Sequence, residues 1–305
     1  MKITNIIKPH IYIEHLLGLV ENININFCHK VDSPQFFILG LPRTGTTLIY
    51  QYVAHRLNIA YFTNGVGKHS KFPSLVTLLQ KKMHSPYASN FESNYGRVRG
   101  SMAPREAGGF WCRFFNIDNY EKYEEISNRK INTIKKTIFK IQNIFNDAPF
   151  VNKNVKHILR LSALAKIFPN SYFIIVWRDP IDIGLSLLKW RKNNGINKWF
   201  SVKPKNYENL KDIHYLDQIA DQVYELDKKL RTDIAKLNKK RIFNIQYKEF
   251  CENPELATDF ILKNTKNVCF KNKNVEKFNF RKKEAETEEE KELVRKINLL
   301  FCQNK

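Results

Sequence analysis

The sequence predicts an α/β fold: a central parallel sheet with helices on both faces. Three observations carry this. Gln35–Leu39 and Ser171–Trp177 are unbroken apolar runs rather than alternating ones, as strands covered on both faces of a parallel sheet are. Segments of helical period follow the strand candidates, so the two element types alternate along the chain. Both of the clearest strands also run into a turn that bears an arginine, Arg43 or Arg178, and then into a helix. That is the place where open α/β sheets hold their ligands.

Taken in order, Gln35–Leu39 stops at Gly40, and Thr46–Leu57 follows with Leu48, Ile49, Tyr52, Val53 and Leu57 at helical spacing. Ile59–Phe62 reads as a second strand. From Thr63 to Arg113 the pattern degrades into Gly, Pro, Ser, Asn and His punctuation; an irregular stretch that long in a compact domain is functional or mobile. Arg129–Phe145 recovers a helix, with Ile131, Ile134, Ile138, Ile141 and Phe145 three and four apart. Pro149–Lys153 is a short strand and Val155–Phe168 a helix ended by Pro169-Asn170. After Ser171–Trp177, Asp179 is placed as an N-cap with Pro180 at the first helical position, and that helix runs to about Trp190. Asp212–Leu237 reads as a long amphipathic helix, Arg241–Tyr247 as a strand and Pro254–Leu262 as a helix. Glu286–Phe301 closes with acids first and bases later, the order a helix dipole favours. Neither a repeat nor a linker divides the chain, so a single domain is expected over residues 1–305, its motifs confined to about 35–262.

Composition narrows the function classes. At 43% hydrophobic and 13% aromatic the chain can bury a core, which excludes wholesale disorder. Lys and Arg number 51 against 30 acids, a formal charge of +21. That excess fits an anionic partner, whether nucleotide, acidic glycan, nucleic acid or membrane surface; it equally fits a Lys-, Asn- and Ile-heavy composition with lysines spread throughout. The five cysteines are scattered and never form a Cys-x-x-Cys pair, which argues against a disulfide framework or zinc cluster. Ile11–Val20, interrupted by Glu14 and His15, is too short and too polar for a membrane span or a signal peptide. A cytoplasmic protein without a transmembrane segment is the expectation.

The turn after the first strand reads Gly40-Leu41-Pro42-Arg43-Thr44-Gly45-Thr46-Thr47. Its two closing-in glycines let the backbone fold around an anion, and the N–H groups of the next helix point at it. The frame is that of a Walker A loop, Gly-x4-Gly-Lys-Ser/Thr, but Thr46 stands where a nucleoside triphosphatase needs lysine. The only cation in the turn is Arg43, which suits one terminal phosphate and a neighbouring charged group better than a triphosphate with Mg²⁺. A second anion site is expected at Arg178, which can fork onto a phosphate from the end of its strand. Ser186, eight residues on, returns to the same side about two helical turns later. The bland alternative has Arg178 paired with Asp179 or Asp182, and Ser186 facing the core.

Pro42 to Thr47 resembles the 5′-phosphosulfate loop of the sulfotransferase family, Pro-Lys/Arg-Ser/Thr-Gly-Thr-Thr/Ser, without a mismatch. Arginine at the second position is more like the bacterial and Golgi-type branches. Arg178-Asp179-Pro180 with Ser186 resembles the family's 3′-phosphate motif, and the two motifs stand in the family's order. Lys153-Asn154-Val155-Lys156-His157 is similar to the family's Lys-x-Pro-x-His stretch, with Val155 in place of its proline. A fainter echo lies in Ile245–Phe250 and Asn253-Pro254. The resemblance implies a P-loop NTPase-like sulfotransferase fold. It also implies a sulfuryl donor, 3′-phosphoadenosine 5′-phosphosulfate (PAPS), with 3′,5′-ADP as product and no metal. Arg43, Thr44, Gly45, Thr46 and Thr47 would then hold the 5′ end of the donor, and Arg178 and Ser186 its 3′-phosphate.

Sulfuryl transfer needs donors on the bridging oxygen and a base for the acceptor. Lys153, at a strand end facing the same crevice, is a candidate for the first role beside Arg43. Glu106, in Pro104-Arg105-Glu106, resembles the family's Pro-x-Glu stretch and is the first candidate base; His157 is the second and His69 the third. As ordinary residues, Lys153 would be a surface lysine and Glu106 a partner of Arg105 or a helix cap. Arg97, Arg99, Arg105 and Arg113, interleaved with Phe91, Tyr95 and Trp111, are expected to form one wall of an acceptor cleft. The acceptor class stays open, a glycan among the choices, and so does the oligomeric state. Two other readings compete: a P-loop kinase or other nucleoside triphosphatase, and a basic nucleic-acid-binding protein. The first lacks the loop lysine and a strand-borne aspartate for Mg²⁺, and the second lacks any recognised module. An inactive fold that only binds ligand is a further possibility.

Overall fold

The computed structural model describes residues 9–115 and 125–303. Helix α1 (Pro9–Asn26) precedes strand β1 (Gln35–Leu39) and helix α2 (Thr46–Arg56). Helices α3 (Asn64–Lys68), α4 (Pro73–Met83) and α5 (Gly108–Trp111) follow, and then α6 (Asn128–Ile144) leads to β2 (Phe150–Lys153). A 3-10 turn at Val155–Arg160 runs into α7 (Leu161–Ile167), β3 (Tyr172–Trp177) and α8 (Pro180–Asn194). Helices α9 (Tyr207–Leu210) and α10 (Tyr215–Ile234) come before β4 (Ile242–Gln246), and α11 (Tyr247–Glu252), α12 (Glu255–Lys263) and α13 (Glu288–Gln303) after it.

The strands form one parallel sheet in the order β2-β1-β3-β4. Every residue of β1 and of β2 is buried, although successive side chains point to opposite faces, so both faces of the sheet are covered. Register couples to packing: Phe36 pairs with Tyr172 and Phe37 with Phe173, and each pair stacks its rings, at 5.3 and 5.8 Å. Such cross-strand aromatic pairs contribute on the order of 1 kcal/mol each beyond burial. Helices α8, α10 and α13 pack on one another, and Gly184 of α8 makes room for Ile297 of α13, whose Cδ1 lies 2.4 Å from where a Cβ would stand.

Three expectations change, and one helix was not anticipated. Ile59–Phe62 is buried but is not a strand: Ala60 alone bridges β2, through its N–H to Pro149 O and its carbonyl to Val151 N. The backbone on either side finds other partners, Asn58 N–H at Cys269 and Phe62 O at Arg105, so no ladder can grow. Thr63–Arg113 is not wholly irregular, because α3, α4 and α5 lie inside it, and α4 starts with Pro73 in its first turn. Val155–Phe168 divides into a 3-10 turn capped by Asn154 and a short α-helix. Helix α1 is the unanticipated one; its Ile13, Leu16, Val20 and Ile23 keep helical spacing but face outward rather than into a core. Among the described residues no helix is long and apolar enough to cross a membrane.

Candidate functional site

Because β1 and β3 are neighbours and run the same way, the turn 40–47 and the Arg178 corner open at the same carboxyl end of the sheet. Between them lies a cleft of about 540 Å³ lined by Arg43, Gly45, Thr46, Thr47, Lys153 and Arg178, with Glu106, Tyr95 and Tyr247 at its sides.

The turn is built tightly. A Cβ on Gly40 would stand 2.8 Å from Val176 O and 2.5 Å from Thr44 Oγ1. Thr44 is buried, its hydroxyl spent on Leu41 O at 2.8 Å, so it shapes the turn rather than lining the cleft. Gly45, at φ 93°, is the N-cap of α2 and leaves the first turn of that helix without a side-chain cap. Open N–H groups and the helix dipole there favour an anion. Arg43 takes a left-handed φ of 74°, which L-residues occupy only when their surroundings impose it. Phe91, Tyr95 and Ser201, other cleft residues, share that conformation. Strain is thus concentrated around the cleft.

Arg43 Nε donates to Ser186 Oγ at 2.9 Å, and Arg178 Nη1 donates to Arg43 O at 3.4 Å. The two expected anion sites therefore adjoin. Arg178 also pairs through Nε with the buried Asp182 at 3.2 Å, the bland alternative for this arginine, while its guanidinium still borders the cleft. Asp182 is fixed from its other side by the Lys283 N–H at 2.8 Å. The Tyr247 ring lies under Arg178, 4.8 Å from the guanidinium carbon, and Tyr95 lies under Arg43 at 5.2 Å. Burial pushes the Tyr247 hydroxyl up to about 12, so it stays a neutral donor. Burial lowers the Arg43 pKa, with Arg178 adding to the shift and Tyr95 opposing it. Lys283 is lowered first by burial and then by Arg178, Arg43 and Lys189. Cations crowded in this way gain from an anion among them.

Lys153 ends β2 with its side chain buried, and Nζ donates to Thr47 Oγ1 at 3.1 Å and pairs with Glu106 Oε1. It is not the surface lysine of the bland reading. Glu106 pairs with Lys153 rather than Arg105. Its backbone is pinned by β2 and the residue after it: Asn152 Nδ2 donates to Arg105 O at 3.3 Å and Asn154 Nδ2 to Glu106 O at 3.2 Å. Trp111 Nε1 in turn donates to Asn152 Oδ1 at 3.0 Å.

His157 lies elsewhere. It is fully buried, bonded through Nε2 to Asn152 Oδ1 at 2.9 Å and edge-on to the Trp111 and Phe37 rings. Burial, with Arg160 and Lys153 adding to it, holds its pKa well below the histidine norm. It does not line the cleft. His69, Arg97 and Arg105 line a separate groove, and Arg113 is spent on the carbonyls of Ser70 and Lys71. Sequence reasoning gave no site role to Tyr247, Asn152, Asn154, Asp182 or Lys283. The polar Asn152 and Asn154 flanking a lysine at the end of a buried strand were the available signal; for Tyr247 it was the Ile245–Phe250 echo, and nothing local marks Lys283.

Comparisons agree with this architecture. Two solved mycobacterial sulfotransferases have similar folds. STF1 of Mycobacterium tuberculosis matches at TM-score 0.51 and 13% identity, over 83% of this chain and 73% of its own. STF9 of Mycobacterium avium matches at TM-score 0.52 and 16% identity, over 96% and 73%. Among curated proteins, the omega-hydroxy-beta-dihydromenaquinone-9 sulfotransferases Stf3 of Mycobacterium bovis and Mycobacterium tuberculosis are each 23% identical over 248 residues. The match covers 74% of this chain and 61% of each relative, so the chain spans about three fifths of the length of the curated relatives it matches. The profile of the sulfotransferase family matches residues 34–265, which takes in the turn, both arginines, Lys153, Glu106 and Tyr247, and to that family this chain belongs.

Proposed function

We propose that this protein transfers the sulfuryl group of PAPS to a hydroxyl or amine of an acceptor and releases 3′,5′-ADP. The observation that carries the reading is the convergence of two anion grips without a Walker lysine: Arg178 donates to the Arg43 carbonyl, while Thr46 fills the lysine position. A nucleotide with separate phosphates on its 3′ and 5′ oxygens suits adjoining grips better than a linear triphosphate does. In this reading Arg43, Thr44, Gly45, Thr46 and Thr47 form the 5′ cradle, with Thr44 acting through the turn's shape. Arg178 and Ser186 take the 3′-phosphate.

The acceptor oxygen attacks sulfur as the bond from sulfur to the bridging oxygen breaks, and the electron pair leaves with the 5′-phosphate. Lys153 supplies positive charge where that oxygen gains it. Glu106 takes the acceptor proton; His157, sealed in the core, is the weaker choice. Phe91, Tyr95 and Phe200 give the cleft an apolar side, which favours an acceptor hydroxyl carried on an apolar or aromatic body over a glycan. The hydroxylated dihydromenaquinone in the relatives' names is of that kind.

The test compares thermal stabilisation by 3′,5′-ADP and by ATP-Mg²⁺, then follows label from PAPS into a panel of acceptors. Stabilisation by 3′,5′-ADP with label transfer supports the reading. Stabilisation by ATP-Mg²⁺ alone moves it to the nucleoside triphosphatases.

A further inference from the structure

A second opening, a groove of about 730 Å³, shares no lining residue with the cleft. Helix α3, helix α4 and the segment 97–105 bound it. One wall is apolar: Val76, Leu79 and Met83 recur at helical spacing along one face of α4, and Leu79 is 57% and Met83 74% exposed. The other wall is cationic. Lys68, His69, Arg97 and Arg105 line it, and no Asp or Glu does.

Among the described residues the side chains of Lys68, Arg97 and Arg105 have no hydrogen-bond or ion-pair partner. The nearby Lys71, Lys81 and Arg113 are all spent, on Glu14, on Ile144 O and on Ser70 O. Three unpaired cations lining one groove with no acid among the lining residues favour an anion there. The walls are also tied in place. Asn64 Nδ2 donates to Val98 O and Gly100 O, both at 2.7 Å, and Gln80 bonds Thr63 and, at 3.0 Å, Ser101 O. A groove fixed before binding loses little entropy when it fills.

We propose that this groove binds a single-chain amphiphilic anion: its acidic head rests on Arg97, Arg105 and Lys68, and its alkyl or aryl body lies along Val76, Leu79 and Met83. Charge alone would admit any small anion; the apolar stripe selects one that carries a chain. Arg97 follows Gly96 and Arg105 precedes Glu106, and both of those neighbours line the cleft. An occupant here thus steadies the segment that presents Glu106. The proposal does not rest on the assignment of PAPS.

The experiment titrates the whole chain with decanoate below its micelle concentration, with inorganic phosphate (charge without a chain) and with 1-octanol (a chain without charge), by calorimetry. Expected are saturable decanoate binding, much weaker binding of the other two, and no displacement by excess 3′,5′-ADP. Arg97→Ala and Leu79→Gln, both exposed positions, each weaken decanoate about tenfold. Their affinity for 3′,5′-ADP, read on the same samples, stays unchanged and reports separately on the nucleotide cleft. Failure of decanoate to saturate overturns the proposal. So do phosphate binding as tight as decanoate, displacement by 3′,5′-ADP, or decanoate affinity that survives both substitutions.

Discussion

Arg43 Nε reaches Ser186 Oγ at 2.9 Å, so the turn after β1 is hydrogen-bonded to the helix after β3 across 143 residues of sequence. Arg178 closes the same junction from the other side through the Arg43 carbonyl. A phosphate bound as proposed would meet side chains already oriented by each other, and such a site spends less binding energy on ordering itself.

Arg178→Ala removes a forked donor and is expected to weaken 3′,5′-ADP binding by roughly 10- to 100-fold, from about 1.5–3 kcal/mol per charge-assisted bond. Ser186→Ala, which removes one neutral hydroxyl donor to the phosphate and the acceptor of the Arg43 Nε–H, costs about fivefold. Calorimetric titration checks both. The Arg178 variant also melts lower, because the buried Asp182 then keeps only the Lys283 N–H among the described residues. Unchanged nucleotide affinity in Arg178→Ala would show the second anion site to be misassigned.

Glu106→Gln keeps the shape of the residue and removes its basicity. Turnover should fall by about 10² to 10⁴-fold while 3′,5′-ADP affinity moves less than about twofold. Single-turnover transfer from labelled PAPS separates the two. A variant that turns over normally passes the base role to another group.

Gly45→Ala places a methyl 2.2 Å from Tyr247 Cε2 at a residue whose φ is 93°. The expected loss is about 2–4 kcal/mol, part from left-handed backbone strain and part from overpacking. In a Tyr247→Ala background the overpacking part disappears. The same substitution should then cost at least about 1 kcal/mol less by denaturant unfolding.

His157 is neutral in the fold, with its pKa held well below 6.5 by burial. The unfolded chain therefore binds a proton below pH 6.5 that the folded chain refuses, and stability falls as pH falls through that window. The slope from this group is about 1.4 kcal/mol per pH unit. Denaturant unfolding between pH 7 and pH 5 should show it, and His157→Gln should flatten the difference. A slope equal in both proteins would mean that the ring is protonated in the core.

Much of the sheet was legible because burial on both faces leaves an unbroken apolar run, as in Gln35–Leu39 and Ser171–Trp177. Ile59–Phe62 carries the same signal without being a strand, since apolarity reports burial and not who accepts the backbone bonds. The turn and Arg178 could be read locally, for each needs only a few consecutive residues. What could not be read was partnership across distance. Tyr247 lies under Gly45 and Arg178, and Lys153 holds Glu106, through contacts that exist only once remote segments meet. Region 63–113 hid α4 because breaker residues flank it and its Leu79–Met83 side is open to solvent.

The Tyr247 ring pressed against Gly45 joins the first strand's turn to the residue that follows the last strand. In the proposed reading, nucleotide affinity is consequently a gauge of completed assembly. A chain halted before β4 would carry the turn and Arg178, yet neither the Tyr247 ring against Gly45 and Arg178 nor the Lys283 N–H on Asp182. Nascent or clipped forms would then lack the proposed donor site until the final strand had docked.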